Sequence, residues 1–147
     1  MFLETLHFNN LKITIYVTKS PCLSKGDSYV FGYPLNFDES TFEMSNSEIG
    51  NHIKGYWLKI DISEDKLQVV SDILGGFRAY YYKKDNEIVI SDDYEFILKH
   101  FKITPELDNE EHEYWLRHGY TTGQATFFKG LFKISPASIY TIDNNGL

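Results

Sequence analysis

The stretch Gln68–Leu98, QVVSDILGGFRAYYYKKDNEIVISDDYEFIL, carries the reading of the fold. Two apolar and aromatic runs of strand length, ending at Ile73 and starting at Phe77, flank Leu74-Gly75-Gly76; EIVIS follows across a turn at Lys84-Asp85-Asn86. Upstream, GYWLKIDIS meets KLQVVSDI around Ser63-Glu64-Asp65-Lys66, a second hairpin signal, so the four strands are expected as one antiparallel meander. Downstream, ISDDYEFILKHF predicts a helix over 92–101. Asp92 is placed to cap it, with Glu95 reaching back and Phe96, Ile97 and Phe101 forming an apolar stripe.

The same reading extends to both ends. ELDNEEHEYWLRHG predicts a second helix, 109–118, with Asp108 and Glu111 at its start, Tyr114, Trp115 and Leu116 along it, and Gly119 as a left-handed cap. FFKGLFKISPASIYTID returns as loop and a final strand. Near the start, LKITIYV alternates Leu11, Ile13, Ile15 and Val17 against Lys12, Thr14 and Tyr16, which predicts a strand with one wet face. SYVFGYPL reads as an aromatic strand that Gly32 and Pro34 bring to an end. NFDESTFEMSNSEIGNHI is polar and reads as loop with one helical turn. The fold class expected is α+β: two layers of antiparallel sheet, one reduced by a short N-terminal part, with the 92–101 and 109–118 helices on an outer face.

Composition bounds the function. The 147 residues suit a single domain, 1–147, able to bury a core without disulfides. A net charge of −7 with no basic stripe argues against nucleic acid. Cys22, the one cysteine, has no partner for an intrachain disulfide. MFLETLHFNN lacks the basic and long apolar segments of a secretory signal, and no run suits a bilayer, so a cytoplasmic protein without membrane association is expected.

The residues by themselves point to no catalytic, cofactor-binding or metal site. His7, His52, His100, His112 and His118 share no ligand spacing; His112 and His118, six apart, fall on different faces of a helix. Asp92 and Asp93 read as cap and dipole partners. DILGGF lacks the further glycine of a dinucleotide fingerprint and the Gly-Lys-Ser/Thr of a P-loop, so its glycines read as turn or close-packing residues. Cys22 has no adjacent base, and Lys19 and Lys25 are weak grounds for an activated thiol.

Taken in order, Ser71-Asp72, Gly75-Gly76, Tyr80-Tyr81-Tyr82, Ile90-Ser91-Asp92 and a helix through Leu98 resemble the "RD-x-x-G-x-x-PLYY … FASE-x-KAL" stretch of the asparagine-synthetase family. Phe128, Gly130, Leu131, Ile134 and Pro136 resemble its "T-x-F-x-G-I-x-x-L-x-PG-x-x-L" ending, and Gly55-Tyr56-Trp57 its "G-x-F-A-F" strand. The similar region, residues 55–143, belongs to that family's N-terminal glutaminase-like domain, a class II glutamine amidotransferase of the N-terminal-nucleophile type. The resemblance implies an Ntn-type sandwich.

It also implies that the chemistry has been lost. Active members carry Cys after the initiator Met, with the freed α-amine as base; here the position is Phe2. The family's "NGEIYN" strand, source of an Asn and a Gly for the oxyanion and a Glu near the substrate amine, matches Phe31-Gly32-Tyr33-Pro34-Leu35-Asn36, which keeps only Gly32. The "RGPD" arginine has no counterpart, and the "SD-x-E" contact falls near Asn46, Ser47 and Glu48 without its Asp.

The expected function is therefore a non-catalytic N-terminal scaffold or docking domain of an ATP-dependent, amide-bond-forming ligase, the parent being an amidating ligase or a macrolactam cyclase of the lasso-peptide kind. ATP and Mg would belong to a C-terminal synthetase domain, in the same or a separate chain; a homodimer is also allowed. The ending Asp143-Asn144-Asn145-Gly146-Leu147, with no "SGG-x-D-S" loop, reads as the start of the link to that domain. The alternatives are a stand-alone peptide- or sugar-binding module, expected to show a concave aromatic patch, and a glutaminase with an unrecognised nucleophile.

Overall fold

Alternating inward and outward side chains build ten strands: β1 (Phe2–Phe8), β2 (Leu11–Val17), β3 (Leu23–Lys25), β4 (Ser28–Leu35), β5 (Lys54–Ile62), β6 (Lys66–Ser71), β7 (Tyr80–Lys84), β8 (Glu87–Ser91), β9 (Leu131–Lys133) and β10 (Ile139–Asp143). Among the described residues three helices, α1 (Asn46–His52), α2 (Tyr94–His100) and α3 (Asn109–His118), and a 3-10 turn at Glu39–Glu43 complete the regular elements. This computed structural model describes residues 1–8, 10–19 and 21–143; residues 144–147, which the sequence reading takes into a linker, lie outside them.

The strands form two five-stranded sheets, ordered β1-β2-β8-β7-β9 and β10-β6-β5-β4-β3. The class is α+β, with two mostly antiparallel sheets packed as a sandwich. The exception to antiparallel pairing is β2 with β8, which run parallel from Lys12↔Glu87 to Tyr16↔Ser91. Both layers carry five strands, so neither shows the reduction expected of the N-terminal part. Between them lie Ile13, Ile15, Val17, Phe31, Leu58, Ile60, Leu67, Val69, Ile88, Ile90 and Ile142, all buried.

The expected single meander does not form. The β5–β6 hairpin belongs to the second sheet and β7–β8 to the first. Residues 72–79 therefore cross between layers instead of making a hairpin. The cause is Asp72, 1% exposed, whose carboxylate accepts N–H groups from Leu74 (2.9 Å), Gly76 (3.0 Å) and Phe77 (2.9 Å) on its own loop and from Trp57 on β5 (3.3 Å). Those donors would otherwise seek a neighbouring strand. The Asp72 carbonyl also accepts from Gly75 and Ala137, which ties the β9–β10 connection to the same point.

β4 covers the whole SYVFGYPL run expected as a strand, Ser28–Leu35, and pairs straight through Gly32, opposite Trp57, and Pro34, opposite Gly55. Three further expectations are corrected. The segment read as loop with one helical turn holds more: a 3-10 turn and then α1, which starts through a capping box between Ser45 and Glu48 and buries Ile49 and the following Ile53 against Val30, Trp57 and Val70 on the outer face of the second sheet. The supposedly wet face of β2 is covered: Tyr16 stacks on Phe96 of α2 at 3.8 Å between centroids, and Thr14 is 2% exposed. The cap of α2 is Asp93, which accepts from Glu95 and Phe96 N–H, while Asp92 accepts from the backbone N–H (2.8 Å) and hydroxyl (2.7 Å) of Thr18.

The helices differ in how they bury. α2 places Ile97 beside Val89 and Leu131 on the outer face of the first sheet. Although Asp108 caps α3 and Gly119 ends it in the left-handed region as expected, α3 buries none of its ten residues, so it is not packed on a sheet face in the way anticipated. It is carried on an arm whose ends are joined by the Leu107↔Phe128 bridge and by hydrogen bonds from Asp108 N to Phe127 O and Lys129 N to Glu106 O. Glu111 closes the arm from within by accepting the backbone N–H and hydroxyl of Thr122.

Candidate functional site

Phe2 at the start of β1 and Phe31 in the middle of β4 come from opposite sheets and meet inside the sandwich. Their rings are 5.3 Å apart and nearly perpendicular, and Phe2 also lies 4.8 Å from the Tyr29 ring. Phe31 is completely buried. Edge-to-face aromatic contacts of this kind add about 0.5–1.5 kcal/mol beyond the area they cover. The two rings form core.

Just beyond them the sandwich opens into a cleft of about 300 Å³ lined by Lys19, Gly32, Tyr33, Tyr56, Gly76, Phe77, Arg78 and Asp92. Its floor is backbone. A Cβ on Gly32 would stand 2.3 Å from the Tyr56 carbonyl oxygen, and φ is +96° there, so only glycine lets β4 approach β5 this closely. A Cβ on Gly76 would stand 2.1 Å from the Tyr56 ring, which rests on the loop that Asp72 organises. Lys19 lies 5.6 Å from the Tyr33 ring centroid, a cation–π contact. Tyr33, Leu35, Tyr56, Ile73 and Leu74 remain exposed around this end of the molecule.

The other residues singled out in sequence do not join this cleft. Strand β5 turns Leu58 and Ile60 toward the core and Lys59 and Asp61 away from it, and Asn46 is held on that outer side. The Lys59 ammonium, 4% exposed, donates to Asp61 (2.6 Å) and to the Asn46 side-chain carbonyl (2.8 Å), while Asn46 donates to Asp61 and Gln68. The network fastens α1 to the sheet. It lies across the sheet from Phe2 and Phe31. Glu48 is occupied in the α1 capping box.

Cys22 sits at the edge of the second sheet, where its thiol donates to the Val30 carbonyl at 3.1 Å; burial pushes the thiol up, against the backbone hydrogen bonds that draw it down. A nucleophilic thiol needs the reverse. Among the described residues no group of three His, Cys, Asp or Glu side chains could hold a metal ion. His100 is bonded to Glu87 at 2.9 Å, and no helix of the described chain is long and apolar enough to cross a membrane.

A second hollow escapes the sequence reading. It measures about 440 Å³ and lies between the α3 arm and the face of the first sheet that carries Arg78, Tyr80 and Lys133. Trp115, Tyr120 and Phe127 form its aromatic wall, with Trp115 and Phe127 5.4 Å apart and at 81°. The signal available in sequence was the period of two: Arg78 and Tyr80 must share a face once Ala79 points inward. No family model matches the chain, and no curated protein matches it.

Proposed function

We propose that this chain is a non-catalytic, glutaminase-like domain that docks on the synthetase domain of an asparagine-synthetase-like, ATP-dependent amide-forming ligase, an amidating ligase or a macrolactam cyclase. The observation that carries the reading is the contact of Phe2 with Phe31, rings 5.3 Å apart. These are the positions at which the resemblance would put the nucleophile and an oxyanion donor, far apart in sequence and of no common pattern. Amide hydrolysis needs an attacking group with a base and hydrogen-bond donors aimed at the developing oxyanion. Two benzyl rings supply none of these and fill the space instead.

The surroundings support a docking role. Tyr33, Leu35, Tyr56, Ile73 and Leu74, brought from β4, β5 and the Asp72 loop, leave apolar side chains 41–80% exposed at one end of the sandwich. Exposed apolar groups gathered in this way mark a surface that another body covers. ATP and Mg are assigned to that partner, and no residue of this chain is assigned to them.

Two measurements test the proposal. With glutamine alone, ammonia production should equal the protein-free blank; release above it refutes the non-catalytic reading. Co-expression with the synthetase segment, recognised by an "SGG-x-D-S" loop in the reading frame beyond Leu147 or beside it, should give a complex on size exclusion. Tyr33→Glu with Leu74→Glu should dissolve that complex. Failure to form it, or indifference to both substitutions, refutes the docking face.

A further inference from the structure

We infer that the hollow beneath the α3 arm binds a small organic acid, a carboxylate carried on a flat apolar body. The floor is set by strand register. Tyr80 pairs with Lys133, and Ile134 N–H donates to the Ala79 carbonyl at 2.8 Å, so the ladder continues one residue beyond β7. Ala79 is 2% exposed and faces the core, which puts Arg78, Tyr80 and Lys133 together on the opposite face. The roof is Trp115, Tyr120 and Phe127. Its about 440 Å³ is within the range of small-molecule sites, and an apolar enclosure with few polar groups is their usual form.

Charge selects the ligand. The whole chain carries 21 acidic against 14 Lys and Arg side chains, yet no Asp or Glu lines this hollow and two cations do. Neither cation is neutralised: among the described residues Arg78 and Lys133 make no ion pair, and the Lys133 ammonium donates to the neutral Thr121 hydroxyl at 2.6 Å. A planar guanidinium matches the two oxygens of a carboxylate, and an ammonium beside it adds a second charge-assisted donor. The flat indole and phenol rings suit a flat apolar body, since offset or edge-to-face packing of aromatic groups is favourable. Trp115 is 40% exposed, which leaves the entrance open.

The occupant differs from that of the docking proposal, and although Arg78 lines both the hollow and the cleft at the docking end, Lys133 and Trp115 line the hollow alone. It is tested on the 147-residue chain alone with 3-phenylpropionate and its neutral counterpart 3-phenylpropanamide. Binding is followed by calorimetry and by Trp115 fluorescence, the other tryptophan, Trp57, being fully buried beneath α1. The acid should bind at least about tenfold more tightly than the amide, the scale of one charge-assisted hydrogen bond. Arg78→Met and Lys133→Met should each remove most of that preference by weakening the acid far more than the amide, and Trp115→Phe should abolish the fluorescence change. Arg78 is exposed and holds no other side chain, so its variant keeps the fold; far-UV circular dichroism checks this. Equal affinity for acid and amide, a preference that survives Arg78→Met, or no saturable binding up to about 10 mM overturns the inference. Lys133→Met, outside the docking-end cleft, should leave the synthetase complex intact, and Tyr33→Glu with Leu74→Glu, outside the hollow, should leave acid binding intact, so the two proposals fail separately.

Discussion

Replacing Asp72 by asparagine keeps the size of the side chain and removes one acceptor oxygen from a carboxylate that serves four backbone donors. In the native loop one oxygen accepts from Leu74 and Gly76 and the other from Trp57 and Phe77. The amide retains a single oxygen. Its NH₂ must face one of the two pairs, and the longer Trp57 contact, 3.3 Å, makes the Trp57–Phe77 pair the one abandoned. Each buried N–H left without an acceptor costs about 1–3 kcal/mol, so the loss of two should destabilise the fold by about 2–6 kcal/mol. At about 2–4 °C per kcal/mol for a chain of this size, the midpoint of thermal unfolding should fall by about 4–24 °C. Urea titrations followed by circular dichroism and by fluorescence of the buried Trp57 would give the free energy, with an unchanged denaturant slope if only the native state is affected. A loss below about 1 kcal/mol would refute the assignment of Asp72 as the clasp of the inter-sheet crossing.

Other positions lead to equally specific outcomes. Gly32→Ala puts a methyl group 2.3 Å from the Tyr56 carbonyl oxygen at a positive φ, so a loss of about 3 kcal/mol is expected by urea denaturation; Gly50→Ala in α1, with nothing within 4 Å, should gain about 0.5–1 kcal/mol. The buried Thr14 hydroxyl has no hydrogen-bond partner among the described residues, and Thr14→Val should raise stability by about 1 kcal/mol. Glu87 is pushed up by burial, but hydrogen bonds and charge from Lys12 and His100 outweigh this and hold it below the usual 4.5. Its contribution, about 0.5–1 kcal/mol by comparison with Glu87→Gln, should be complete above pH 4.5 and disappear as the pH falls through the lowered value. The Cys22 thiol, raised by burial, should alkylate with iodoacetamide at pH 7.5 more slowly than a free cysteine derivative of ordinary acidity.

Strand positions were legible because short apolar and aromatic runs between turn signals are a local property: LKITIYV, GYWLKIDIS and EIVIS all fold as strands, within a residue or so of those bounds. Sheet membership was not. Gly75-Gly76 carries a hairpin signal, and nothing nearby reveals that Asp72 will capture the donors of that loop and send β7 into the other layer. For α1 a signal existed, the S-x-x-E box of Ser45 and Glu48, obscured because only Ile49 of the helix is buried. The Phe2–Phe31 contact joins opposite sheets, which no local pattern announces, and Asn46 on α1 is fixed to the outward-facing Lys59 and Asp61 of β5, across the sheet from that contact. The acid-lined appearance of the whole sequence hides the Arg78–Lys133 hollow, because its walls come from three separated stretches.

The parallel pairing of β2 with β8 has a consequence for synthesis. The β1–β2 hairpin emerges from the ribosome first, but its inner neighbour, Ile88 to Ile90, follows only after β3 to β7 have been made. Until then the edge of β2, with Ile13 and Ile15 destined for the core, is a hydrogen-bonding template without its mate. Slowing translation just upstream of residue 87 should therefore raise the fraction of chains that aggregate, while a pause after residue 91 should be harmless.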